Sequence, residues 1–372
     1  MKIYYKNWRL VLIFLFLFLS IAAILSRMIY VQVEKGNFLL QTGNNQNTSE
    51  RIIEFKRGSI FDKNGIPLAI SITGFDLFAL SGLSEEDFIK IKNTLKLKDF
   101  KYKPFNKKSL LKTSLSFDEM RRIKTLRIDR LELEKAYKRH YPLGEQIAPL
   151  VGFSGRDGYG LEGLEKSYNS ILTGKPTKER VLKDGARSAV QRLEILEFGE
   201  NPRDIYLTID SNIQYIAYRY LVEAIKNNDG TGGTVVILDN SAKEVLALAS
   251  YPSYNPNNPM RSIKKNRAFL ESYEPGSIVK PLALAGAIEK NLIDIDTEME
   301  LPIKIEVDGN IINDREKYGK LKAFEVIKES SQVGATQISF LLGAEGLIEN
   351  YKKFGFAKPV NINFPSMSFG EI

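Results

Sequence analysis

The chain has 372 residues, 43% hydrophobic and 26% charged, enough for two or more domains with their own cores. Its 53 Lys and Arg exceed 45 Asp and Glu for a net charge of +8, yet no arginine-rich arm or basic–aromatic pattern points to nucleic acid; an anionic phospholipid or polymer suits the excess equally well. There is no cysteine and one histidine, His140. Disulfides, thiolate metal sites and cysteine nucleophiles are therefore excluded, and any serine chemistry has lysine as its economical base.

Residues 1–9 carry Lys2, Lys6 and Arg9 and no acid. Leu10 to Leu25 is apolar apart from Ser20, and the apolar character resumes after Arg27 up to Val31. With Trp8 and Tyr30 as interfacial anchors and Arg27 snorkelling, 10–33 is expected to span a membrane, the basic flank placing the N-terminus in the cytoplasm. A cleaved signal peptide is the rival reading, with a long apolar region and a poor cleavage site against it. Residues 36–50, with Asn44, Asn45 and Gln46, read as a polar linker or a strand approach.

Next comes Arg57-Gly58-Ser59-Ile60-Phe61-Asp62-Lys63-Asn64-Gly65-Ile66-Pro67-Leu68-Ala69, a hairpin turn between strands at 59–61 and 67–72. Residues 84–140 are rich in Lys and Glu at helical spacing, and Ser84-Glu85-Glu86-Asp87 opens a helix. They read as a surface module with charged helical faces. His140 lies in Arg139-His140-Tyr141-Pro142 with no Asp and Ser paired nearby, which favours a structural role. The glycines at 158–163 imply tight turns before a helix over 162–172. A boundary falls near 199–204, giving a tail at 1–9, an anchor at 10–33, a first domain at 34–200 and a second at 201–372.

In the second domain, Asp210-Ser211 caps a helix over about 212–226. Strands follow at 234–239 and 244–250. Ser277 and Lys280 lie in Tyr273-Glu274-Pro275-Gly276-Ser277-Ile278-Val279-Lys280-Pro281, ahead of the apolar run 282–290. The Pro-Gly turn puts Ser277 at or beside a helix N-terminus, with Lys280 one turn on along the same face. A serine hydroxyl needs an adjacent base, and a lysine is within reach. Ser-x-x-Lys also occurs at Ser109/Lys112 and Ser262/Lys265, where it reads as lysine-rich surface; the plainer reading of Ser277 is a helix cap. Ile278, Val279 and Leu282 are the residues expected to desolvate Lys280. Beyond it, 303–312 alternates about an Asp308-Gly309 hairpin turn, 321–328 reads as a helix, and Ser330-Ser331-Gln332-Val333-Gly334 opens another to about Leu342.

These motifs, in this order, resemble the class B penicillin-binding proteins, the membrane-anchored D,D-transpeptidases of peptidoglycan synthesis, and the short pedestal looks closer to the division type (FtsI-like). The resemblance implies an α+β fold: a transmembrane helix, a β-rich extended pedestal or dimerisation-like domain, then a transpeptidase α/β domain like that of serine β-lactamases. Arg57, Gly58, Asp62, Gly65 and Glu165 match structural motifs of the pedestal. Ser277 would be the nucleophile, Lys280 its base, Ser330 the proton relay and Gln332 a substrate contact, with no cofactor or metal. Implied partners are stem peptides and their lipid-linked precursor, β-lactams, the inner membrane, a polytopic glycosyltransferase and other division proteins.

Two departures stand out. The family's second motif is Ser-x-Asn, and this chain has Gln332, whose amide sits one methylene further out. The third, Lys-(Ser/Thr)-Gly, is found nowhere in 1–372, and the stretch after 200 looks short for a complete domain of this type. Loss of one oxyanion donor alone costs about a hundred- to thousandfold in rate. The expectation is thus a C-terminally truncated transpeptidase. The alternatives are a catalytically incomplete anchored scaffold of the wall-synthesis complex and, against the pedestal motifs, a penicillin sensor or hydrolase.

Overall fold

In this computed structural model, residues 7–39, 47–53, 55–97, 101–183, 189–259 and 265–372 are described. Lys2, Lys6, Asn44, Asn45, Gln46 and Ser262 lie outside them. In chain order the elements begin with α1 (Asn7–Ile29), β1 (Thr48–Ile53), β2 (Ile60–Phe61), β3 (Pro67–Ala79), α2 (Glu85–Leu95), β4 (Ser109–Leu115), α3 (Phe117–Thr125) and β5 (Leu131–His140). They continue with α4 (Ala148–Val151), α5 (Gly163–Ser167), α6 (Asn169–Thr173), β6 (Thr177–Lys183), β7 (Ala189–Glu197), β8 (Ile205–Tyr206), α7 (Ser211–Asn227), β9 (Gly233–Asp239) and β10 (Glu244–Tyr251). The last are α8 (Arg267–Leu270), α9 (Lys280–Glu289), β11 (Glu298–Leu301), β12 (Lys304–Val307), β13 (Asn310–Asn313), β14 (Gly319–Lys322), α10 (Ala323–Lys328) and α11 (Gln332–Lys353).

Two compact units result, one of Met1–Gly58 with Ser170–Asp204, the other of Ser59–Asn169 with Ile205–Ile372. In the first, α1 and the turn after it form an apolar stretch, Trp8–Glu34, containing an 18-residue window with a mean hydropathy of 2.6 and none of that window buried. That length and composition fit a single-pass membrane anchor. The antiparallel sheet β1-β6-β7 carries cross-strand ion pairs, Lys178 with Glu197 and Arg180 with Glu194. Gly58 is required here: a Cβ would lie 2.2 Å from the carbonyl oxygen of Arg203.

The second unit has a sheet in the order β4-β3-β2-β8, with β5 also on β3. The helices α2 and α3 cover part of it, around a core of Leu77, Phe88, Ile91, Leu111, Leu115 and Ile123. Two of the four elements in the module read as helical, β4 and β5, are therefore strands. In β5, Leu131 and Leu133 alternate with acids and pack toward that core, so the period is two. The helix expected over 162–172 is broken at Tyr168, where Asn169 Oδ1 accepts the Gly160 amide at 2.8 Å. His140 ends β5, opposite Ile70.

Asp62 is fully buried in the β2–β3 turn, which Gly65 closes at φ 80°. One oxygen accepts the amides of Asn64 (2.8 Å) and Ile66 (2.7 Å), the other that of Ser211 (3.1 Å) at the start of α7. Burial alone would raise its pKa. The hydrogen bonds from Ser211, Ile66 and Asn64 outweigh burial and hold the carboxyl below the ordinary 3.8. Such a carboxylate adds stability above its unfolded pKa, and that stability is lost as pH falls through the lower folded value. Asp62→Asn is expected to cost about 2 kcal/mol or more at neutral pH, because charged hydrogen bonds are lost. The gap to the wild type should narrow on acidification below 3.8. Urea denaturation at about pH 7 and about pH 3 checks this, and equal gaps at both would refute it.

Polar ties stitch residues 139–149 to the rest of this unit. Tyr141 exchanges two hydrogen bonds of 3.0 Å with the Asn257 side chain. Gln214 on α7 donates to Gln146 O (2.7 Å) and Leu248 O (3.0 Å), and Asn266 donates to Pro149 O (3.2 Å). Asn266 also caps α8 by accepting the Ala268 amide. The hairpin β9–β10 packs on α7 through Ala217, Leu221, Ile225, Ala247 and Ala249. A last core joins α9, α10 and α11 to β11 and β14, with Ala283, Ala287, Leu301, Val326, Val333 and Ile338 at its centre. The fold is α+β.

Candidate active site

Ser277 lies in a single 3-10 turn, Gly276–Val279, and α9 begins at Lys280. Gly276 has φ 67°, which lets the chain reverse after Pro275. The Lys280 amide donates to Ser277 O, so the two residues stand one 3-10 turn apart. Ser277 is exposed. Among the described residues, no hydrogen bond joins its hydroxyl to the Lys280 amine.

The Lys280 amine instead bridges to the second motif. Nζ donates to Ser330 O at 2.7 Å and to Ser330 Oγ at 3.2 Å. Both acceptors face the amine because Ser330 adopts a left-handed φ of 54° at the end of α10. Its amide bonds to Ile327 O and that of Ser331 to Val326 O, closing the α10 terminus. Ser331 then caps α11, accepting the Gly334 amide at 2.8 Å. The α9–α11 contact is held by Asn350 Nδ2 donating to Leu282 O at 2.6 Å.

Burial pushes the Lys280 amine down from the ordinary lysine range, and the Asp314 carboxylate partly opposes it. The residues expected to provide the burial do so unequally. Val279 and Leu282 are half-buried, whereas Ile278 is 72% exposed. Ile278 sits on the outward side of the 3-10 turn, which advances 120° per residue rather than 100°.

Asp314 follows β13 and was not distinguished by any local pattern. Its Oδ2 accepts the Ser331 hydroxyl at 2.6 Å, and its Oδ1 accepts the amides of Gln332 (2.5 Å) and Val333 (3.2 Å). Gln332 is exposed as the first residue of α11. Only its backbone is engaged: among the described residues its side chain makes no hydrogen bond. The structure thus brings Lys280 and Ser330 together, sets Ser277 one turn before Lys280, and leaves the Gln332 side-chain carboxamide exposed. A hydroxyl, an amine eased toward neutrality and a second hydroxyl are the groups that serine acyl transfer uses.

The pedestal residues form a separate cluster. Arg139 Nε donates to Glu165 Oε1 at 2.7 Å, and Arg139 Nη1 donates to Ser71 Oγ at 3.1 Å. Tyr141 donates to Glu165 Oε1 at 3.3 Å and accepts the Ser154 amide at 2.8 Å. Glu165 is 0% and Arg139 5% exposed at the side chain. Arg57 is also buried.

A Ser-x-x-Lys helix start whose lysine bonds a second serine, on an α+β unit, is an arrangement suited to serine-dependent acyl transfer. Comparison narrows it. Residues 52–207 match the penicillin-binding protein dimerisation domain, and residues 233–372 match the penicillin-binding protein transpeptidase domain. The probable peptidoglycan D,D-transpeptidase PenA of Neisseria gonorrhoeae is 31% identical over 98% of this chain and 65% of its own length. The peptidoglycan D,D-transpeptidase FtsI of Escherichia coli K12 is 29% identical over 96% of this chain and 63% of its own. Among solved structures, the fold is similar to that of penicillin-binding protein PBP2 from Helicobacter pylori, in its complex with MreC (TM-score 0.70, 23% identity, 87% of this chain and 68% of that one). A peptidoglycan synthetase from Bifidobacterium adolescentis is also similar (TM-score 0.66, 22% identity, 87% and 66%). The chain belongs to the class B penicillin-binding proteins. It spans about 65% of the length of the PenA relatives it matches.

Proposed function

We propose that the chain is a division-type peptidoglycan D,D-transpeptidase with Ser277 as nucleophile. Ser277 Oγ attacks the penultimate D-Ala carbonyl carbon of a stem peptide, and Lys280 takes the hydroxyl proton. The amide C–N bond breaks as Ser330 gives its proton to the departing D-Ala amine and takes in its place the proton held by Lys280, and an acyl-enzyme remains. An amine of a second stem peptide attacks that ester, restoring Ser277 and forming the cross-link. β-Lactams acylate the same oxygen as mimics of the D-Ala-D-Ala end. The observation that carries this is the Lys280 amine, one turn from Ser277 and within hydrogen-bond distance of Ser330 Oγ. Relatives named D,D-transpeptidases, aligned along 96–98% of the chain, support the substrate class.

Gln332 would meet the substrate's peptide amides. Arg9 and the basic flank of α1 favour an N-terminus in the cytoplasm and the bulk of the chain outside it, on the inner membrane. Partner proteins, among them a glycosyltransferase, fit a family in which one relative is solved as a complex with MreC.

The test is labelling of the full chain, in detergent micelles, with a fluorescent penicillin. A covalent adduct mapped to the Ser277 peptide and absent from Ser277→Ala is expected. A wild-type chain with a cooperative melting transition and no adduct overturns the reading for this polypeptide.

A further inference from the structure

We infer that Asp314 is a positioning residue of this site: its carboxylate clamps the N-terminus of α11 so that Ser330 presents both its oxygens to Lys280. The inference deepens the transpeptidase reading and rests on it for the reaction, though not for the geometry.

The clamp is made of three hydrogen bonds to three consecutive residues, Ser331, Gln332 and Val333. Carboxylate acceptors at a helix N-terminus satisfy amides that have no partner within the helix and complement its dipole. Asp314 is supplied by the β12–β13 hairpin, not by the helix itself, so it ties two elements together across the site. Ser330 stands directly before the clamped residues at φ 54°, a conformation that a non-glycine residue keeps only where its surroundings hold it. With Ser331 fixed by Asp314 on one side and by Val326 O on the other, Ser330 cannot relax without breaking one of those bonds.

Asp314 also contributes charge. No carboxylate lies within ion-pair distance of Lys280 among the described residues, and Asp314 is the one charged group whose field registers on it. The other charges of this corner, Arg315, Glu316 and Glu329, act on the Tyr318 phenol rather than on Lys280. Asp314 therefore both fixes the acceptors of the amine and moderates its protonation.

Two variants of the full chain separate this from simple helix capping. Asp314→Asn removes the charge; Ser331→Ala removes two hydrogen bonds, the one to Asp314 Oδ2 and the one from the Gly334 amide, and leaves the charge. The primary readout is the pH dependence of Lys280 modification by an amine-reactive ester, quantified by peptide mass spectrometry. Asp314→Asn is expected to move the midpoint to lower pH and raise labelling at a fixed sub-midpoint pH severalfold, because the ammonium loses the Asp314 counter-charge. Ser331→Ala should leave the midpoint in place. An unchanged midpoint in Asp314→Asn, with a melting-temperature loss no larger than that of Ser331→Ala, overturns the inference and leaves Asp314 a cap alone. Penicillin acylation of Ser277 is read in parallel and is expected to fall at least about tenfold in Asp314→Asn. If the wild type takes no penicillin, the transpeptidase reading fails while the labelling result still decides the role of Asp314.

Discussion

Lys280→Ala is expected to slow acylation of Ser277 by penicillin by about a hundred- to ten-thousandfold, the range in which removal of a positioned general base falls. The chain offers no substitute. His140 is the single histidine and ends β5, and there is no cysteine. Lys280 is held by Ser330 rather than by an acid, so its proton is not locked into an ion pair and its burial favours the neutral form. A lowered pKa puts a larger fraction of amine in the base form at neutral pH. The wild-type acylation rate should accordingly rise with pH through a midpoint below the ordinary lysine value of 10.5. Lys280→Arg sharpens the test. Guanidinium keeps the positive charge and hydrogen-bond donors but does not give up its proton. If lysine acts as a base, the arginine variant should be nearly as slow as the alanine variant. A rate within about threefold of wild type would show that the charge matters and proton abstraction does not.

The site was legible where chemistry and local geometry coincide in a few residues. Pro275-Gly276 before an apolar run marks a turn into a helix, so Ser277 and Lys280 could be paired from the sequence. The same holds for Asp308-Gly309: both residues have positive φ, and Val307 pairs with Asn310 across a two-residue loop. Ser330 and Gln332 were recognisable only as part of a motif. Their geometry depends on a left-handed φ and on Asp314, which lies 17 positions before Ser331 and belongs to a different element. Nothing local to Asn313-Asp314-Arg315 reports that its side chain reaches α11.

Charge obscured part of the pedestal. The acids and lysines of 131–138 suit an exposed helix as well as a strand whose outer face meets water, and pairing with ten residues of β3 decides the matter. Similarly, Gly343 looks like a helix stop, yet helix resumes after it as far as Lys353. Packing of that second segment, where Asn350 bonds to Leu282 O, outweighs the break.

The largest stability effect is expected at Glu165. It is fully buried, and its carboxylate takes the Arg139 guanidinium at 2.7 Å and the Tyr141 hydroxyl at 3.3 Å. Glu165→Ala leaves Arg139 as a buried cation without its carboxylate, which costs about 3–5 kcal/mol. Against a domain stability of about 5–15 kcal/mol, that is a large fraction. Burial also pushes the Tyr141 phenol up, so it stays a neutral donor across the usable pH range and cannot take over the counter-charge. The damage should reach the second half of the unit, because the Tyr141 backbone exchanges hydrogen bonds with the Asn257 side chain, and Pro149, further along the same segment, accepts from Asn266. Glu165→Gln keeps the shape and an acceptor but loses the charge, and should cost about half as much. A double variant, Arg139→Met with Glu165→Leu, removes the stranded cation together with its partner. It should recover much of the loss, although Tyr141 and Ser71 each give up the hydrogen bond they make to the pair. Urea titrations of the four chains check the order wild type, double variant, Glu165→Gln, Glu165→Ala. A Glu165→Ala cost under about 1 kcal/mol would mean that Arg139 finds water or another acceptor and that the pair does not hold this arm in place.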